Sequence, residues 1–560
     1  MKRRSKLIAA ILISTLTVGS FVGCGSSSEK SNPGATSSGE STALEGKNVL
    51  SGDESSAANE SVTNKREYKK EIHVAISAPP SNLDAMVNAA FLTRQLVGGG
   101  QVYEQLVTLD GDYNPQMELA ESYEVSEDNK IWTYKLRQGV KFHDGSEMTA
   151  EDVVASINRW IDKVAVAKAL FGDARFEVVD DYTVRVELVE GSSAVNTILA
   201  ATSPSCVITT KEAIDTVKDD VLTEYIGTGP YKFSEWATDQ YIKFEKFDDY
   251  VPYEEEGTFS GWWGHKTAYI DTIYYDIVKD NSTRVAGLQT GQYDMLYVPC
   301  PLDNFEQLKD TSGTTLIQEN RGNFIMIYNK KGEAASNKVL RQAINKALDY
   351  DEVMTAAFVD SKYYTITPSV MYNEKSSYYT EAGTEAFNLN DPEGAKKMLE
   401  ESGYDFSTPI KLLTPTDYPE YYNATLDIAN QLEKIGLTVE LESMDWASCL
   451  SAKAEESGWD AYVSTQSEVA VPAALPYLSG AKAFGFPDDE TVISLQHDGL
   501  FAADEDTAKA KWEELQTYCL TDYVPFTSFG PWKSYSAIAG DYDMSFMQGG
   551  IMWNAKFYEE

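Results

Sequence analysis

The sequence predicts an α/β fold that is built from more than one packed unit. The chain has 560 residues, which is more than a single hydrophobic core accommodates. Hydrophobic residues make up 42% of it and aromatic residues 12%, which excludes disorder as the state of the whole chain. Between residues 409 and 463, short apolar strands alternate with segments of helical periodicity. This alternation is typical of parallel strands that are joined by crossover helices.

The alternating segment gives a β-α-β-α-β order. Gly436 and Gly458 end its two helices, because glycine is the residue most often found just past a helix C-terminus. We therefore expect an α/β lobe with helices on both faces of its sheet. The predicted elements are the strand Ile410–Leu413, the helix Glu420–Ile435, the strand Thr438–Leu441, the helix Asp445–Glu456 and the strand Asp460–Val463.

Other elements are predicted from capping residues and from period-2 or helical patterns. Thr149 begins one helix, with Asp152 three residues later as a variant of the capping box. Asp391 begins another, because proline follows it at the first helical position. The remaining predictions are strands at Glu71–Ile76, Ile131–Leu136 and Thr183–Val189, and a helix at Asn337–Leu348.

The N-terminal segment has the pattern of an export signal. Lys2, Arg3, Arg4 and Lys6 precede the apolar run Leu7–Val22, and Cys24 follows it after a glycine. The run closes in a pattern that resembles a bacterial lipobox, so residues 1–23 are predicted as a signal peptide and Cys24 as the lipidated N-terminus. A retained single-span anchor is the alternative. Residues 24–69 are rich in serine and glycine and are predicted to form a flexible, lipid-anchored linker on the outer face of the cytoplasmic membrane.

Charge and motif content exclude several function classes. The formal net charge is −40, which disfavours nucleic acid as a partner. The sequence contains no GxSxG, GxxxxGK, HExxH or GxGxxG motif, so no catalytic site is predicted. Its four histidines and the cysteines after Cys24 have no metal-binding spacing, and we expect no metal and no cofactor. Cys206, Cys300, Cys449 and Cys519 are predicted as buried thiols, with one distant disulfide left open.

Several stretches together resemble one protein family. They are Pro115–Tyr123, Lys135–Ser146, Thr149–Val154, the Gly-Thr-Gly-Pro-Tyr run at 227–231, and residues 287–294 and 339–349. In this order they resemble extracellular solute-binding proteins of the oligopeptide, dipeptide and nickel type, which are the receptors of ABC importers. The resemblance runs from about residue 70 to the C-terminus.

The resemblance implies a two-lobed periplasmic-binding-protein-like fold, in which the lobes close on the ligand and an extra domain is inserted in the first lobe. Lobe one is expected at 70–102, 204–318 and 523–560, and the inserted domain at 103–203. Lobe two is expected at 319–522, which contains the α/β segment predicted independently from periodicity. We expect a monomer that delivers its ligand to ABC permease subunits.

The resemblance also implies how a peptide is held, because a receptor for many peptides must bind their main chain and termini. Main-chain pairing maps to Asn88, Ala89 and Phe91 on one side and to Ser464, Thr465 and Gln466 on the other. The aspartate that holds the ligand's ammonium group in many members maps to Glu468, four residues before Pro472. A solvated loop acid is the alternative interpretation of Glu468.

Aromatic residues are the candidate walls of the cleft, because flat rings give a large contact area at a small entropic cost. Trp262, Trp263 and Phe529 are the first candidates, and the Tyr418, Tyr421 and Tyr422 cluster and Trp532 are further ones; burial in the core is the alternative for each. The expected function is capture of extracellular peptides. The same fold binding an oligosaccharide or a nickel or haem chelate, and an exported hydrolase, are the alternative functions.

Overall fold

The computed structural model describes residues 49–51, 66–217, 220–297, 302–478 and 484–559. The predicted signal peptide, Cys24, most of the predicted linker and Cys300 lie outside these residues. The described helices are α1 (Phe91–Val97), α2 (Ala150–Lys163), α3 (Ala165–Phe171), α4 (Val195–Leu199), α5 (Lys211–Asp215), α6 (Asn281–Gln289), α7 (Leu302–Leu308), α8 (Lys338–Ala347), α9 (Tyr350–Phe358), α10 (Pro392–Ser402), α11 (Pro419–Lys434), α12 (Trp446–Ala452), α13 (Glu490–Leu500) and α14 (Glu505–Tyr518).

The described strands follow the same chain order. They are β1 (Val49–Ser51), β2 (Glu71–Ile76), β3 (Val107–Leu109), β4 (Pro115–Met117), β5 (Ala120–Val125), β6 (Ile131–Leu136), β7 (Glu177–Asp180), β8 (Thr183–Glu187), β9 (Tyr231–Ala237), β10 (Tyr241–Lys246), β11 (Phe259–Ser260), β12 (Trp263–Gly264), β13 (Thr272–Ile277), β14 (Met295–Leu296), β15 (Thr314–Tyr328), β16 (Pro409–Pro415), β17 (Thr438–Met444), β18 (Ala461–Gln466), β19 (Phe526–Ala539), β20 (Tyr542–Asp543) and β21 (Lys556–Phe557).

Two long antiparallel strands hold the largest sheet together. β15 and β19 pair from Thr314–Ala539 to Ile327–Phe526, and the sheet order is β17-β16-β18-β15-β19-β14-β2-β13-β10-β9. On one side of this pair β18, β16 and β17 follow, and on the other side β14, β2 and β13 run parallel to one another. The α/β segment therefore extends one half of a sheet whose centre is the β15–β19 pair.

The predicted β-α-β-α-β order is confirmed, with helices on both faces of its sheet. β16 pairs in parallel with both β17 and β18. Leu412 packs in one core with Ile428 of α11, whereas the next residue, Leu413, packs in another with Cys449 of α12. Neighbouring residues of a strand point to opposite faces, so the two crossover helices cover opposite sides.

Several elements begin or end at the residues predicted from the sequence. The strands Glu71–Ile76 and Ile131–Leu136 have the predicted bounds. The N–H of Thr149 donates to Oδ2 of Asp152 over 2.9 Å, which starts α2 as predicted. The helix predicted to reach Glu456 ends at Ala452. After it, N–H groups donate to the carbonyl three residues earlier instead of four, as from Glu455 N–H to Ala452 O.

One part of the predicted linker forms a strand. The strand β1 pairs in parallel with residues 316–318 of β15. There β15 has β19 on one side only, because its pairing with β18 begins at Asn323. An open strand edge accepts an additional strand, and β1 extends the sheet there.

A smaller antiparallel sheet, β5-β6-β8-β7, lies within the range expected for the inserted domain, and α2 packs on it. The Oγ of Ser192, which lies five residues after the end of β8, donates to Leu500 O over 2.6 Å. The expected domain boundaries stay a prediction. Of the cysteines, Cys206, Cys449 and Cys519 are free and buried.

Candidate functional site

A cleft of about 610 Å³ lies beside the middle of the β15–β19 pair. Its wall comes from segments that are far apart in the chain. The lining includes Ala89, Phe91, Ser203, Arg321, Tyr418, Tyr421, Trp446, Lys453, Tyr462, the run from Ser464 to Glu468, and Trp532. The structure thus brings together at one cleft the predicted residues Ala89, Phe91, Ser464, Thr465, Gln466 and Glu468.

The end of β18 offers an open main-chain edge to this cleft. Gln466 and Thr465 pair with Asn323 and Phe324 of β15. Within the described residues, β16 pairs with β18 only at Ala461 and Tyr462, so the edge from Ser464 to Gln466 has a strand on one side alone. This is the arrangement that accepts an extended ligand as an additional strand.

Side chains from two other elements fix Thr465 in place. The hydroxyl of Tyr421 and the Nε1–H of Trp532 both donate to Oγ1 of Thr465, over 3.1 and 3.2 Å. Tyr421 comes from α11 and Trp532 from β19. Two hydrogen bonds therefore tie the Thr465 side chain to α11 and β19 at the point where β18 borders the cleft.

The other predicted pairing segment, at 88–91, forms no strand and has no regular secondary structure up to Ala90. Oδ1 of Asn88 accepts from the N–H of Ala90, and α1 begins at Phe91. The carbonyl of Ala89 accepts from Oγ of Ser203 over 2.9 Å. Ala89 and Phe91 line the cleft, whereas Asn88 turns its amide back to Asn82 O. Main-chain pairing of this segment with a ligand stays a prediction.

Glu468 lines the cleft, two residues after the end of β18. Asn373 donates from Nδ2 to Oε1 of Glu468, and Gln548 donates from Nε2 to Oε2 over 2.8 Å. Burial raises the pKa of the Glu468 carboxyl to about 7, although the bond from Asn373 and the charge of Arg94 act in the opposite direction. Glu468 is therefore not a solvated loop acid, which was the alternative interpretation.

Two arginines near Phe91 were not predicted from the sequence. The guanidinium carbon of Arg321 lies 3.4 Å from the centre of the Phe91 ring, and that of Arg94 lies 4.9 Å from it. Arg321 lines the cleft, and burial together with the charge of Arg94 lowers its pKa to about 10. A β-bulge, which no sequence pattern announces, places Arg321 here, because the β15–β19 register shifts between Asn320 and Gly322.

Aromatic rings form the wall on the side of α11 and α12. The rings of Tyr418 and Trp446 lie 4.8 Å apart in an edge-on arrangement, and Tyr421 stacks on Trp446 at 6.0 Å. Lys453 Nζ lies 4.1 Å from the centre of the Phe484 ring, and burial lowers its pKa to about 8. This wall offers broad apolar contact with a single ammonium group in it.

The three aromatic residues proposed first lie elsewhere. Trp262 is 2% exposed and belongs to the core. Trp263 donates from Nε1 to Met117 O over 3.0 Å, away from the cleft. Phe529 is fully buried, with its ring 5.0 Å from that of Tyr350. These positions correct the assignment of the three to the cleft wall, because each ring is used in packing.

The Gly-Thr-Gly-Pro-Tyr run lies outside the residues that line the cleft. A Cβ on Gly227 would lie 2.0 Å from Val102 O, so only glycine permits this close approach. The hydroxyl of Thr228 donates to Oε2 of Glu104, whose other oxygen accepts from Nζ of Lys266. Lys266 also pairs with Glu118. The run therefore anchors a buried charge network.

Metal-binding and membrane-spanning features were also sought in the part of the chain that the structure describes. No group of three or more His, Cys, Asp or Glu side chains there is arranged to hold a metal ion. None of the described helices has the length and apolar character needed to cross a membrane.

Comparisons with known proteins agree on one family. A family model described as bacterial extracellular solute-binding proteins, family 5 Middle, matches residues 114–482. A probable peptide ABC transporter periplasmic-binding protein of Sinorhizobium fredii is 31% identical over 447 residues, which cover 77% of this chain and 83% of that protein.

Solved structures show the same fold. The binding protein AgaA of A. tumefaciens R10, in complex with agropinic acid, is 26% identical with a TM-score of 0.73, and the match covers 88% of this chain and 99% of that one. The oligopeptide-binding protein AppA of Bacillus subtilis, in complex with a nonapeptide, is 20% identical with a TM-score of 0.68 and coverages of 86% and 96%. The expected two-lobed α/β fold is confirmed.

Proposed function

Because the chain belongs to family 5 of the bacterial extracellular solute-binding proteins, we propose that its cleft captures extracellular peptides for an ABC importer. The observation that carries this proposal is the open edge of β18 from Ser464 to Gln466, which borders the cleft. A main-chain edge recognises the repeating amide groups that all peptides share, so it favours peptides over sugars or metal chelates.

The bound peptide lies extended along this edge. Each main-chain hydrogen bond contributes about 1 kcal/mol net, independent of the ligand's sequence. Its ammonium group pairs with the carboxylate of Glu468, whose orientation is already fixed by Asn373 and Gln548. Its side chains contact the aromatic wall of Tyr418, Tyr421 and Trp446.

The ligand closes the lobes because it binds the closed state better than the open one. Glu468 follows β18, whereas its partner Gln548 lies in the C-terminal segment assigned to lobe one. This hydrogen bond therefore links the two expected lobes at the proposed ligand site. The closed form docks on permease subunits, and the protein works as a monomer that is anchored by lipid at Cys24.

Native mass spectrometry of protein purified from a peptide-rich medium tests the peptide assignment. A series of peptide masses bound to the protein is expected. A single sugar or metal adduct would overturn the assignment in favour of the alternative ligands. Shortened peptides that accumulate in a mixture with time would instead identify an exported hydrolase.

Small-angle X-ray scattering tests the closure. The radius of gyration of ligand-free protein is expected to fall when a mixture of peptides that bind it is added. Equal radii with and without peptide would contradict a mechanism in which the lobes close.

A further inference from the structure

A corner of aromatic rings borders the cleft where α11 begins. The ring planes of Tyr418 and Trp446 are inclined at 64°, whereas those of Tyr421 and Trp446 stack at 13°. All three residues line the cleft, and Tyr418 is 40% exposed. Oδ2 of Asp417 accepts from the N–H of Trp446 over 2.7 Å, which ties the start of α12 to the residues before α11. The two helices therefore present their rings together, and the faces of such rings attract cations.

A carboxyl group lies beside these rings without a counter-ion. Glu420 is the second residue of α11, is half-buried and lines the cleft. Burial raises the pKa of the Tyr418 hydroxyl, and the charge of Glu420 raises it further, so this carboxyl group lies close to the ring. Among the described residues, no lysine, arginine or histidine forms an ion pair with Glu420. Burial also raises the pKa of Glu420 itself, although the bond from its own main-chain N–H acts in the opposite direction.

Two cationic side chains also line the cleft, and both face other rings. Nζ of Lys453 lies 4.1 Å from the centre of the Phe484 ring. Cζ of Arg321 lies 3.4 Å from the centre of the Phe91 ring. Since neither pairs with Glu420, the carboxyl group beside the ring corner is left for a cation from outside the described protein.

Buried carboxylates elsewhere in the chain have partners. Asp84 pairs with Arg159 over 2.6 Å, and Asp460 accepts from the N–H of Ala334 over 2.8 Å. An acidic residue in the first turn also interacts favourably with the helix dipole, but an exposed side chain has the same interaction without a desolvation cost. The position of Glu420 at the helix start therefore does not explain why it is half-buried among rings.

We propose that Glu420, with the rings of Tyr418 and Trp446, binds a cationic side chain of the captured peptide, that of lysine or arginine. This inference rests on the proposed function and adds to it a preference for basic peptides. The carboxylate supplies the charge and the rings supply their faces, an arrangement that proteins use for ammonium groups. The subsite is distinct from Glu468, which follows β18 and is assigned to the amino terminus of the ligand.

The test compares the capture of two casein digests by the immobilised full-length protein. Both digests are made with chymotrypsin, but in one of them the lysines of casein are acetylated before digestion. The peptides released in either digest therefore carry a free amino terminus, and bound peptides are quantified by mass spectrometry. Wild-type protein is expected to retain lysine-containing peptides about tenfold better than their acetyl-lysine forms. Peptides without lysine are the internal control and are expected to be retained equally from both digests.

Three variants assign the preference to Glu420. Glu420→Gln is expected to retain lysine and acetyl-lysine peptides equally, and Glu420→Asp to recover part of the preference. Glu433→Gln, at an exposed position of the same helix, is expected to match wild type. Because the chain has a formal net charge of −40, basic peptides are also attracted by the protein as a whole. A preference that persists in Glu420→Gln would come from this overall charge and would contradict the proposal.

A third digest tests the contribution of the rings. Dimethylation of the casein lysines before digestion keeps their charge and removes most of their N–H donors. Wild-type protein is expected to retain these peptides as well as the unmodified ones, because contact with a ring face needs the charge alone. Loss of retention would contradict the part assigned to Tyr418 and Trp446.

The outcomes separate the subsite from peptide capture. Retention of no peptide from any digest refutes peptide binding itself, and the subsite with it. Equal retention of lysine and acetyl-lysine peptides by wild type leaves peptide binding intact and refutes the subsite. The melting temperature of Glu420→Gln is expected to equal that of wild type, since no partner is lost. A large fall would mean that Glu420 holds the fold, and it would contradict the proposal.

Discussion

Gln548 donates a 2.8 Å hydrogen bond from Nε2 to Oε2 of Glu468, across 80 residues of chain. Asn373 donates to the other oxygen of the same carboxyl group. Both donors are neutral, so they fix the orientation of the carboxylate without neutralising its charge. A carboxylate held in this way is ready for a cation, because little ordering remains to be done when the ligand arrives.

Replacement of Glu468 is expected to weaken the binding of peptides that carry a free amino terminus. Glu468→Ala removes the anion opposite the ammonium group, and we expect at least a tenfold loss of affinity, about 1.4 kcal/mol, in titration calorimetry. The N-acetylated form of the same peptide is the control and is expected to bind both proteins equally. Unchanged affinity for the free amine would reject Glu468 as its anchor.

Ligand affinity is expected to rise with pH near neutrality. The pKa of Glu468 is about 7, so its ionised fraction increases as the pH rises. Between pH 5.5 and pH 6.5, where the α-amino group of a peptide stays protonated, this increase strengthens binding of an amine-bearing peptide by roughly eightfold. Glu468→Gln carries no titrating group and is expected to give a flat profile over this range, below the region where Lys453 loses its charge.

Stability of the ligand-free protein is expected to change in the opposite direction. The raised pKa means that the folded protein retains a proton which the unfolded chain loses near the ordinary value of 4.5. The contribution of Glu468 to stability is therefore complete below that value and is lost as the pH rises through about 7. Melting curves of wild type relative to Glu468→Gln should show this loss, and a constant difference at all pH values would contradict it.

Sequence periodicity predicted the elements that position the cleft. The order of β16, α11, β17, α12 and β18 follows from local patterns. Each helix buries one face, and the strands form short apolar runs because helices cover both sides of their sheet. Glu468 was reached only through the resemblance to the family. Its half-buried, hydrogen-bonded state could not be predicted, since Asn373 and Gln548 lie 95 and 80 residues away in the chain.

The parts that sequence reasoning missed depend on long-range geometry. The bulge that aims Arg321 into the cleft is a mismatch between two strands more than 200 residues apart, and neither strand shows it alone. Aromatic residues were assigned wrongly to the cleft at Trp262 and Phe529, because a buried ring in the core and a ring on a cleft wall have the same local pattern.

Gly549 is expected to tolerate no side chain. Its φ is +117°, and an added Cβ would lie 2.2 Å from the hydroxyl of Tyr297 and 2.3 Å from Oε1 of Gln95. Gly549→Ala should destabilise the protein by about 3 kcal/mol in chemical denaturation and displace the neighbouring Gln548 from Glu468.

Gly540 offers the matched control for this substitution. It also has a positive φ, +73°, but no atom lies within 4 Å of an added Cβ. Gly540→Ala is expected to cost about 1 kcal/mol through backbone strain alone. Equal losses at the two positions would show that the close approach at Gly549 is not what matters.

Loss of the buried ammonium of Lys266 is expected to be strongly destabilising. Its side chain and those of Glu104 and Glu118 are at most 1% exposed, and it pairs with both carboxylates. Lys266→Met leaves two like charges buried without a counter-ion, and we expect a loss of about 3 to 5 kcal/mol in the free energy of unfolding.

Removing the two carboxylates as well distinguishes an effect of charge from an effect of packing. When Lys266→Met is combined with Glu104→Gln and Glu118→Gln, no buried charge remains unpaired, and most of the lost stability is expected to return in chemical denaturation. Lys279→Met, at a lysine that is 72% exposed and pairs with Asp239, is expected to leave stability unchanged. If the triple variant were as unstable as Lys266→Met alone, the network would act through the shape of the lysine side chain rather than through its charge.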